Sequence, residues 1–154
     1  MRAPAVALAL LLAATGARAQ APSPEVIVHG PSKVAAELIA TEKAFAARSR
    51  EAGAVAAFTE FCDPADSRAF NTGEPVKGAA AIGQAHVGEG KLDWYPREVF
   101  AAKAGDMGVV WGVFHYVPPK GKAFGGQYVT AWRKDAKGAW KAIIDIGTPE
   151  PAAP

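Results

Sequence analysis

Two side chains in the second half of the sequence are of types that transfer protons. Asp145 lies among isoleucines (IIDI), and a carboxylate in such surroundings is desolvated, which raises its pKa and suits it to act as a general base. His115 is the second candidate, because an unperturbed imidazole titrates near neutral pH. The alternatives are a solvated Asp145 paired with Arg133 or Lys141, and a His115 that only ends a strand. The sequence leaves both alternatives open.

Several aromatic side chains are candidates for an apolar binding site. Aromatic rings bury large areas, and their N–H or O–H groups usually find a partner, so they either fill a core or line a pocket. We expect at least one of them to line a pocket for a small apolar organic molecule. The candidates are Phe58, Trp94, Trp111, Tyr128 and Trp132.

Metal and cofactor motifs are absent from the sequence. The three histidines lie far apart, without an H-x-H or H-E-x-x-H pattern. A glycine-rich phosphate loop, a G-x-S-x-G elbow and a Cys–His pairing are also missing. Cys62 is the single cysteine, so we expect no internal disulfide. We expect a buried, unreactive thiol, and the alternatives are pairing with another chain or a reactive thiol. The sequence therefore predicts neither a metal nor a cofactor.

The first 19 residues have the pattern of a secretory signal peptide. A positive start at Met1-Arg2 precedes an apolar run over 5–14 and a small-x-small site at 17–19. The apolar run is too short for a membrane-spanning helix, which needs about 20 residues. We expect cleavage after Ala19, export to the periplasm or the exterior, and no membrane attachment of the mature chain.

The charge balance argues against nucleic-acid binding. Two of the 17 basic residues, Arg2 and Arg18, fall within the signal peptide, which leaves as many basic residues as the 15 acidic ones. A neutral mature chain lacks the basic surplus that a nucleic-acid surface requires. Half of the residues are hydrophobic, as in an ordinary packed domain.

A long amphipathic helix is predicted from Ser32, which can cap it, to about Arg50. Leu38 and Phe45 recur at helical spacing on its apolar face, and Glu42 is assigned with other charged residues to the opposite face. Two short helices follow, one at 54–62 after a break at Gly53 and one that begins near residue 78. The folded domain is predicted to span 32–148, with short extra strands beside its main sheet. A proline-containing linker (20–31) precedes it, in which Val26-Ile-Val28 can add a short strand, and a flexible tail (149–154) follows it.

Four segments rich in aromatic and β-branched residues follow the helices. The turns between them are too short for parallel crossovers, so the segments form an antiparallel meander. Helices followed by strands indicate an α+β domain. Pro96 predicts a bulge or an edge, and Gly112 predicts a bend or a close backbone approach. The segments are 92–103, 107–117, 124–134 and 139–147.

The last of these strands shows an alternation that bears on Asp145. The alternation places Trp140, Ala142, Ile144 and Ile146 on one face of the sheet, and Lys141, Ile143 and Asp145 on the other. Asp145 then faces away from the core whenever the Ala142 face is the buried one. The sequence does not say which face that is.

An ordered set of short phrases marks a family resemblance. The phrases include Glu42-Lys-Ala-Phe-Ala46, Val76-Lys-Gly78, Gly126-Gln-Tyr-Val-Thr-Ala-Trp132 and Gly138-Ala-Trp-Lys141. Together they resemble the nuclear transport factor 2-like superfamily, which includes ketosteroid isomerases and SnoaL-like polyketide cyclases, and within it an uncharacterised bacterial branch. The resemblance implies a cone: a curved sheet wrapped around the first helix, with a pocket at the open end. It also implies a homodimer formed through the convex face of the sheet.

Three functions are compatible with the sequence, because this superfamily hosts many unrelated activities. The first is a domain that binds a small apolar organic molecule in the open end of the cone. The second is an isomerase, cyclase or hydrolase with Asp145 or His115 as general base. The third is a non-catalytic dimeric adaptor. An ionisable group in the cavity would favour the enzyme, a purely apolar cavity the binding protein, and a filled one the adaptor.

Overall fold

The computed structural model describes residues 25–70, 73–88 and 90–150. The predicted signal peptide, and residues 20–24 and 151–154 of the predicted linker and tail, lie outside the described residues. Within those ranges, no helix is long and apolar enough to cross a membrane.

The first helical element, α1, spans Ser32–Phe61 and is interrupted at Gly53. Gly53 has φ 85° and ψ 161°, a conformation that favours glycine because it has no Cβ. The first two predicted helices therefore form one element with a kink at the predicted break. Pro31 occupies the N-cap position and Ser32 is the first helical residue, so the predicted capping role of Ser32 is wrong.

The second helix, α2, spans Ala79–Ala85 and corresponds to the third predicted helix. It packs against the second half of α1. Gly83 allows this close approach, because a side chain there would overlap Thr59 of α1. The turn after α2 places His86 beside Phe58 of α1.

Among the described residues, seven strands form a curved, open sheet in the order β1-β4-β5-β6-β7-β2-β3. The four long strands make the predicted antiparallel meander, while β1 and β2 run parallel to β4 and β7. Strand β1 lies within the predicted linker, at the short strand expected near 26–28. The strands are β1 (Ile27–His29), β2 (Arg68–Phe70), β3 (Val76–Lys77), β4 (Lys91–Ala101), β5 (Met107–Val117), β6 (Phe124–Lys134) and β7 (Trp140–Pro149).

The inner face of the sheet, defined here as the face that contacts α1, forms the core. Leu38 and Phe45 from α1 meet Val99, Val110 and Trp132 from the sheet, and all five side chains are buried. The predicted α+β fold, with a curved antiparallel sheet around a long first helix, is confirmed.

Two bulges decide which side chains reach the inner face. In β4 the register shifts between Pro96 and Glu98, as predicted from Pro96. In β7, Ala142 pairs with Trp132 while Ile144 pairs with Ala131, so Ile143 is an extra residue.

The β7 bulge overturns the expectation of uninterrupted alternation. One inserted residue shifts the two-residue period, so all later side chains change face. Ala142 is buried on the inner face, and Asp145 lies on the same face, paired with the fully buried Thr130. Ile144 turns to the outer face of the sheet, where it is 38% exposed.

Candidate functional site

A cavity of about 210 Å³ lies between the inner face of the sheet and the two helices. Its walls are mainly aromatic, with Phe58, Trp94, Phe114, Tyr116 and Tyr128 among them. Its volume lies between an apolar cavity of about 150 Å³ that accepts benzene and the roughly 300–1,000 Å³ of a drug-sized site. A single substituted ring therefore matches it in size.

Glycines on neighbouring strands make room for these rings. Gly112 lies opposite Tyr128 across the β5–β6 pair. A Cβ on Gly112 would overlap the Tyr95 carbonyl oxygen and come within 2.8 Å of Tyr128 Cε1. The close approach predicted at Gly112 is confirmed, and it places the Tyr128 ring against the backbone of β5.

Asp145 is a carboxylate in the wall of this cavity. Its Oδ2 accepts a hydrogen bond from Thr130 Oγ1 at 2.9 Å. Asp145 is accessible through the cavity but shielded from bulk water, and this burial raises its pKa to about 6, against the opposing effects of Thr130 and the nearby His86. Asp145 is therefore ionised at neutral pH and is a stronger base than an ordinary aspartate.

The alternative of a solvated, ion-paired Asp145 is wrong. Arg133 pairs with Asp66 at 2.9 Å and approaches Asp63 at 3.4 Å. Lys141 donates to the backbone carbonyl of Glu60. Both basic side chains thus have other partners, and the β7 bulge turns Asp145 inward.

His86 is a second ionisable side chain in the cavity wall. Its ring stacks on Phe58, with centroids 4.2 Å apart and planes 27° from parallel. Its charge favours the ionised form of Asp145. The sequence carries no local signal that places His86 in a site, because only the packing of α2 on α1 brings it to the cavity.

Glu42 lies behind the cavity wall and is fully buried, so the expectation that it lies on the charged face of α1 is wrong. Its Oε1 accepts from Trp94 Nε1 at 2.7 Å and its Oε2 accepts from Trp132 Nε1 at 2.8 Å. Burial raises the pKa of Glu42 to about 8, although both indole hydrogen bonds lower it. The sequence held a signal, since Leu38, Glu42 and Phe45 follow one helical stripe.

Tyr128 carries a hydroxyl group without a hydrogen-bond partner among the described residues. The side chain lines the cavity and is only 6% exposed. The hydroxyl is near enough to Glu42 to affect its pKa, but it does not reach hydrogen-bond geometry. Burial, followed by the negative charges of Glu42 and Asp145, raises the pKa of Tyr128.

The structure brings some of the predicted site residues together and separates others. Asp145, Phe58, Trp94 and Tyr128 line the cavity. Trp132 is fully buried behind it, where it holds Glu42.

His115 and Trp111 lie outside the cavity. Both are on the outer-facing positions of β5, where His115 is exposed and Trp111 pairs with Val129. The even-numbered positions of β5 face inward instead, which brings Phe114 and Tyr116 to the cavity. The register of β5 against its neighbours decides this, and the sequence did not specify it.

Neither metal binding nor thiol chemistry is indicated by the part of the chain that the structure describes. Across residues 25–70, 73–88 and 90–150, no group of three or more His, Cys, Asp or Glu side chains is arranged to hold a metal ion. The Cys62 thiol is buried, and its pKa is raised to about 12, mainly by desolvation. It has the character of a small apolar core residue.

No protein-family model and no curated protein matches the sequence. Solved structures do match the fold. A nuclear transport factor 2-like superfamily protein from Salmonella enterica serovar Typhimurium superposes with TM-score 0.60 at 13% identity, over 79% of this chain and 95% of its own. A protein of unknown function from Shewanella oneidensis, also of this type, gives TM-score 0.60 at 13% identity, over 73% and 96%.

A ketosteroid isomerase-like protein from Erwinia carotovora atroseptica gives TM-score 0.62 at 15% identity, over 79% of this chain and all of its own. At such low identity these likenesses establish the fold and not the activity. They agree with the resemblance found in the sequence and with the curved sheet around α1. The chain therefore has the nuclear transport factor 2-like fold.

Proposed function

We propose that the chain binds a small, single-ring organic molecule in the aromatic cavity and that Asp145 acts on this molecule as a general base. The observation that carries the proposal is the position of Asp145 in an aromatic wall, with a pKa near 6. An ionisable group in the cavity favours an enzyme over a purely apolar binding protein.

The chemistry that this arrangement supports is proton abstraction. A ring stacks on aromatic walls and presents an acidic C–H or O–H group to the carboxylate of Asp145. Thr130 holds one oxygen of that carboxylate, which leaves the other oxygen to accept the proton. A positioned base of this kind contributes typically about 10²–10⁴ in rate.

Hydrogen–deuterium exchange tests the base directly. A panel of single-ring ketones, including acetophenone and phenylacetone, is incubated with the protein in D₂O, and loss of the α C–H signal is followed by proton NMR. We expect the wild-type protein to accelerate exchange of at least one ketone, and Asp145→Asn to lower that rate by about 10²-fold or more.

Asp106→Asn serves as the matched control, since Asp106 is exposed in the β4–β5 turn and lies outside the cavity. Binding of the same compounds and of toluene is measured by native mass spectrometry. If the compounds bind but their exchange is not accelerated, the protein binds single-ring molecules and Asp145 is not a general base. If none of the compounds binds, the cavity is not a site for single-ring molecules and the whole proposal fails.

We also propose that the outer face of the sheet forms a homodimer. Phe100, Val129 and Ile144 are 43%, 39% and 38% exposed there, and such a patch supports an association surface. Light scattering after size exclusion is the test. Val129→Lys should give a monomer, whereas Val87→Lys, at an exposed position off the sheet, should not. A monomeric wild-type protein would reject the dimer.

The signal-peptide pattern in residues 1–19 supports a further proposal, that the chain is exported. Expression of the full sequence in a Gram-negative host, followed by fractionation and mass spectrometry, tests it. We expect a periplasmic product that begins at Gln20. A product that keeps Met1–Ala19 in the cytoplasm would contradict export.

A further inference from the structure

The Tyr128 hydroxyl has no role in the general-base proposal, and its surroundings call for an explanation. It is buried, it lines the cavity, and it has no hydrogen-bond partner among the residues described. A buried hydroxyl without a hydrogen-bond partner destabilises the folded state. The hydroxyl therefore needs a hydrogen-bond partner. The two candidates are a ligand in the cavity and the carboxyl group of Glu42.

The surroundings of Glu42 limit what its proton can do. Each carboxyl oxygen already accepts one indole N–H, from Trp94 or from Trp132. An indole is a donor only, so neither tryptophan can accept a proton from Glu42. The Tyr128 oxygen is an acceptor close to Glu42 that is not otherwise engaged.

We propose that Glu42 sets the direction of the Tyr128 hydroxyl, so that Tyr128 donates a hydrogen bond into the cavity only while Glu42 is protonated. In that state the Glu42 side chain moves into hydrogen-bond distance of the Tyr128 oxygen and donates its O–H to it, and the Tyr128 O–H turns to the cavity. When Glu42 loses its proton to solvent, the Tyr128 O–H turns to the Glu42 carboxylate. The Tyr128 proton stays on Tyr128 throughout, and only lone pairs then face the cavity.

The charged and titratable groups around Glu42 come from several packed elements. Strand β6 contributes Tyr128 and β7 contributes Asp145, whose negative charge raises the pKa of Glu42. His86, after α2, acts on Asp145. Strands β4 and β6 contribute the two neutral indoles. Since the pKa of Glu42 lies near 8, the switch operates above the range in which Asp145 titrates.

This arrangement defines the ligand class of the cavity more narrowly. Between about pH 6 and pH 8 the cavity offers a donor from Tyr128 and a carboxylate acceptor from Asp145. It then selects a ring that carries a hydrogen-bond acceptor, such as a carbonyl oxygen, together with an acidic hydrogen. Glu42 does not line the cavity, so it is a positioning residue and not a catalytic one. This inference rests on the proposed binding of single-ring molecules.

Two probe molecules distinguish the inference about Tyr128 from the proposal that the cavity binds single-ring molecules. Acetophenone carries an acceptor and no donor, whereas toluene carries neither. The neutral fraction of a group with a pKa near 8 falls about tenfold between pH 7 and pH 9, so the Kd of acetophenone should rise roughly tenfold. The Kd of toluene should stay constant within about twofold. Tyr128→Phe should bind acetophenone more weakly at pH 7 and remove its pH dependence.

The outcomes are distinct. If toluene binds at both pH values while acetophenone shows no pH dependence, or keeps it in Tyr128→Phe, the inference is overturned and the cavity proposal stands. If neither compound binds, the cavity proposal fails. The effect of Glu42 on the Tyr128 hydroxyl is then tested by a measurement that needs no ligand.

The ligand-free measurement uses protein labelled with ¹³C at the tyrosine Cζ. The three resonances are assigned with Tyr95→Phe and Tyr116→Phe. We expect the Tyr128 resonance to shift between pH 7 and pH 9 with a midpoint near 8. Asp145→Asn should lower that midpoint, because the Asp145 charge raises the pKa of Glu42. A Tyr128 resonance that does not move over this range would refute the inference.

Discussion

Trp132 donates its indole N–H to Glu42 across 90 positions of sequence, at 2.8 Å. Trp94 does the same for the other carboxyl oxygen from a position 52 residues away. The two bonds fasten the middle of α1 to β4 and β6, and they fix the wall of the cavity from behind. One buried carboxyl group thus links the stability of the domain to the shape of its candidate site.

The first prediction concerns this link. Trp132→Phe leaves Glu42 Oε2 without its donor in a dry interior, so the free energy of unfolding should fall by about 1–3 kcal/mol. Trp140→Phe is the matched control, because Trp140 donates to the partly exposed Glu37 at 3.3 Å. Urea denaturation measures both variants. Equal losses would show that the Glu42 bond contributes nothing of its own.

The second prediction is that stability falls as pH rises. The pKa of Glu42 is raised from 4.5 to about 8 in the folded state, so the folded protein binds this proton more tightly than the unfolded chain does. Its contribution is complete below pH 4.5 and is lost as pH rises through 8. The free energy of unfolding should decline at up to about 1.4 kcal/mol per pH unit in this window. The pKa of Asp145 is raised from 3.8 to about 6, so Asp145 adds to the loss of stability in the lower part of this pH range.

Denaturation midpoints at pH values between 4.5 and 8.5 test this slope. Glu42→Gln should flatten the profile, since an amide does not titrate. Glu37→Gln should remove a contribution of opposite sign, because the hydrogen bond from Lys134 lowers the pKa of Glu37, and that stabilisation is lost as pH falls. A wild-type protein that gains stability from pH 5 to 8 would show that Glu42 is not buried as a neutral acid.

The third prediction concerns Thr130. Its hydroxyl donates to Asp145 and lowers the pKa of that carboxyl. Thr130→Val keeps the shape of the side chain and removes the donor, so the pKa of Asp145 should rise above 6. Titration of ¹³C-labelled aspartate by NMR measures this. Thr148→Val, which alters an exposed hydroxyl bonded to Gln127, should leave the Asp145 titration unchanged.

The fourth prediction compares two glycines on the sheet. Gly112→Ala should lower the free energy of unfolding by about 1–3 kcal/mol, because its Cβ overlaps the Tyr95 carbonyl and crowds Tyr128. At Gly147, a Cβ meets only Phe114 Cε1 at 3.7 Å, an ordinary contact. Gly147→Ala should therefore change stability by no more than about 0.5 kcal/mol. Thermal or urea unfolding of both variants decides, and equal effects would refute the packing argument.

The fifth prediction concerns the single cysteine. The pKa of the Cys62 thiol is raised to about 12 by burial, so very little thiolate forms at pH 8. A thiol-specific colorimetric reagent should react with the folded protein at least about 10²-fold more slowly than with the same protein in urea. Rapid labelling of the folded protein would show that Cys62 is accessible.

Much of the fold was predictable from local pattern. The apolar spacing around Leu38 and Phe45 predicts α1, Gly53 marks its break, and the short turns after β4, β5 and β6 require antiparallel neighbours. Pro96 and Gly112 locate a bulge and a close approach. These features depend on the conformational limits of nearby residues, so the sequence alone contains them.

The candidate site depends on contacts between distant residues. An extra residue at Ile143 turns Asp145 inward, and its cause lies in the pairing of β7 with β6. The register of β5 against its neighbouring strands likewise places His115 and Trp111 on the outer face, although their residue types suited a site. Glu42 is charged by type and was assigned to solvent, yet indole donors 52 and 90 positions away make its burial tolerable. Amino-acid type and spacing determined the elements, while only the tertiary structure decided which polar groups lost water and gained a partner, because desolvation depends on everything packed around a group.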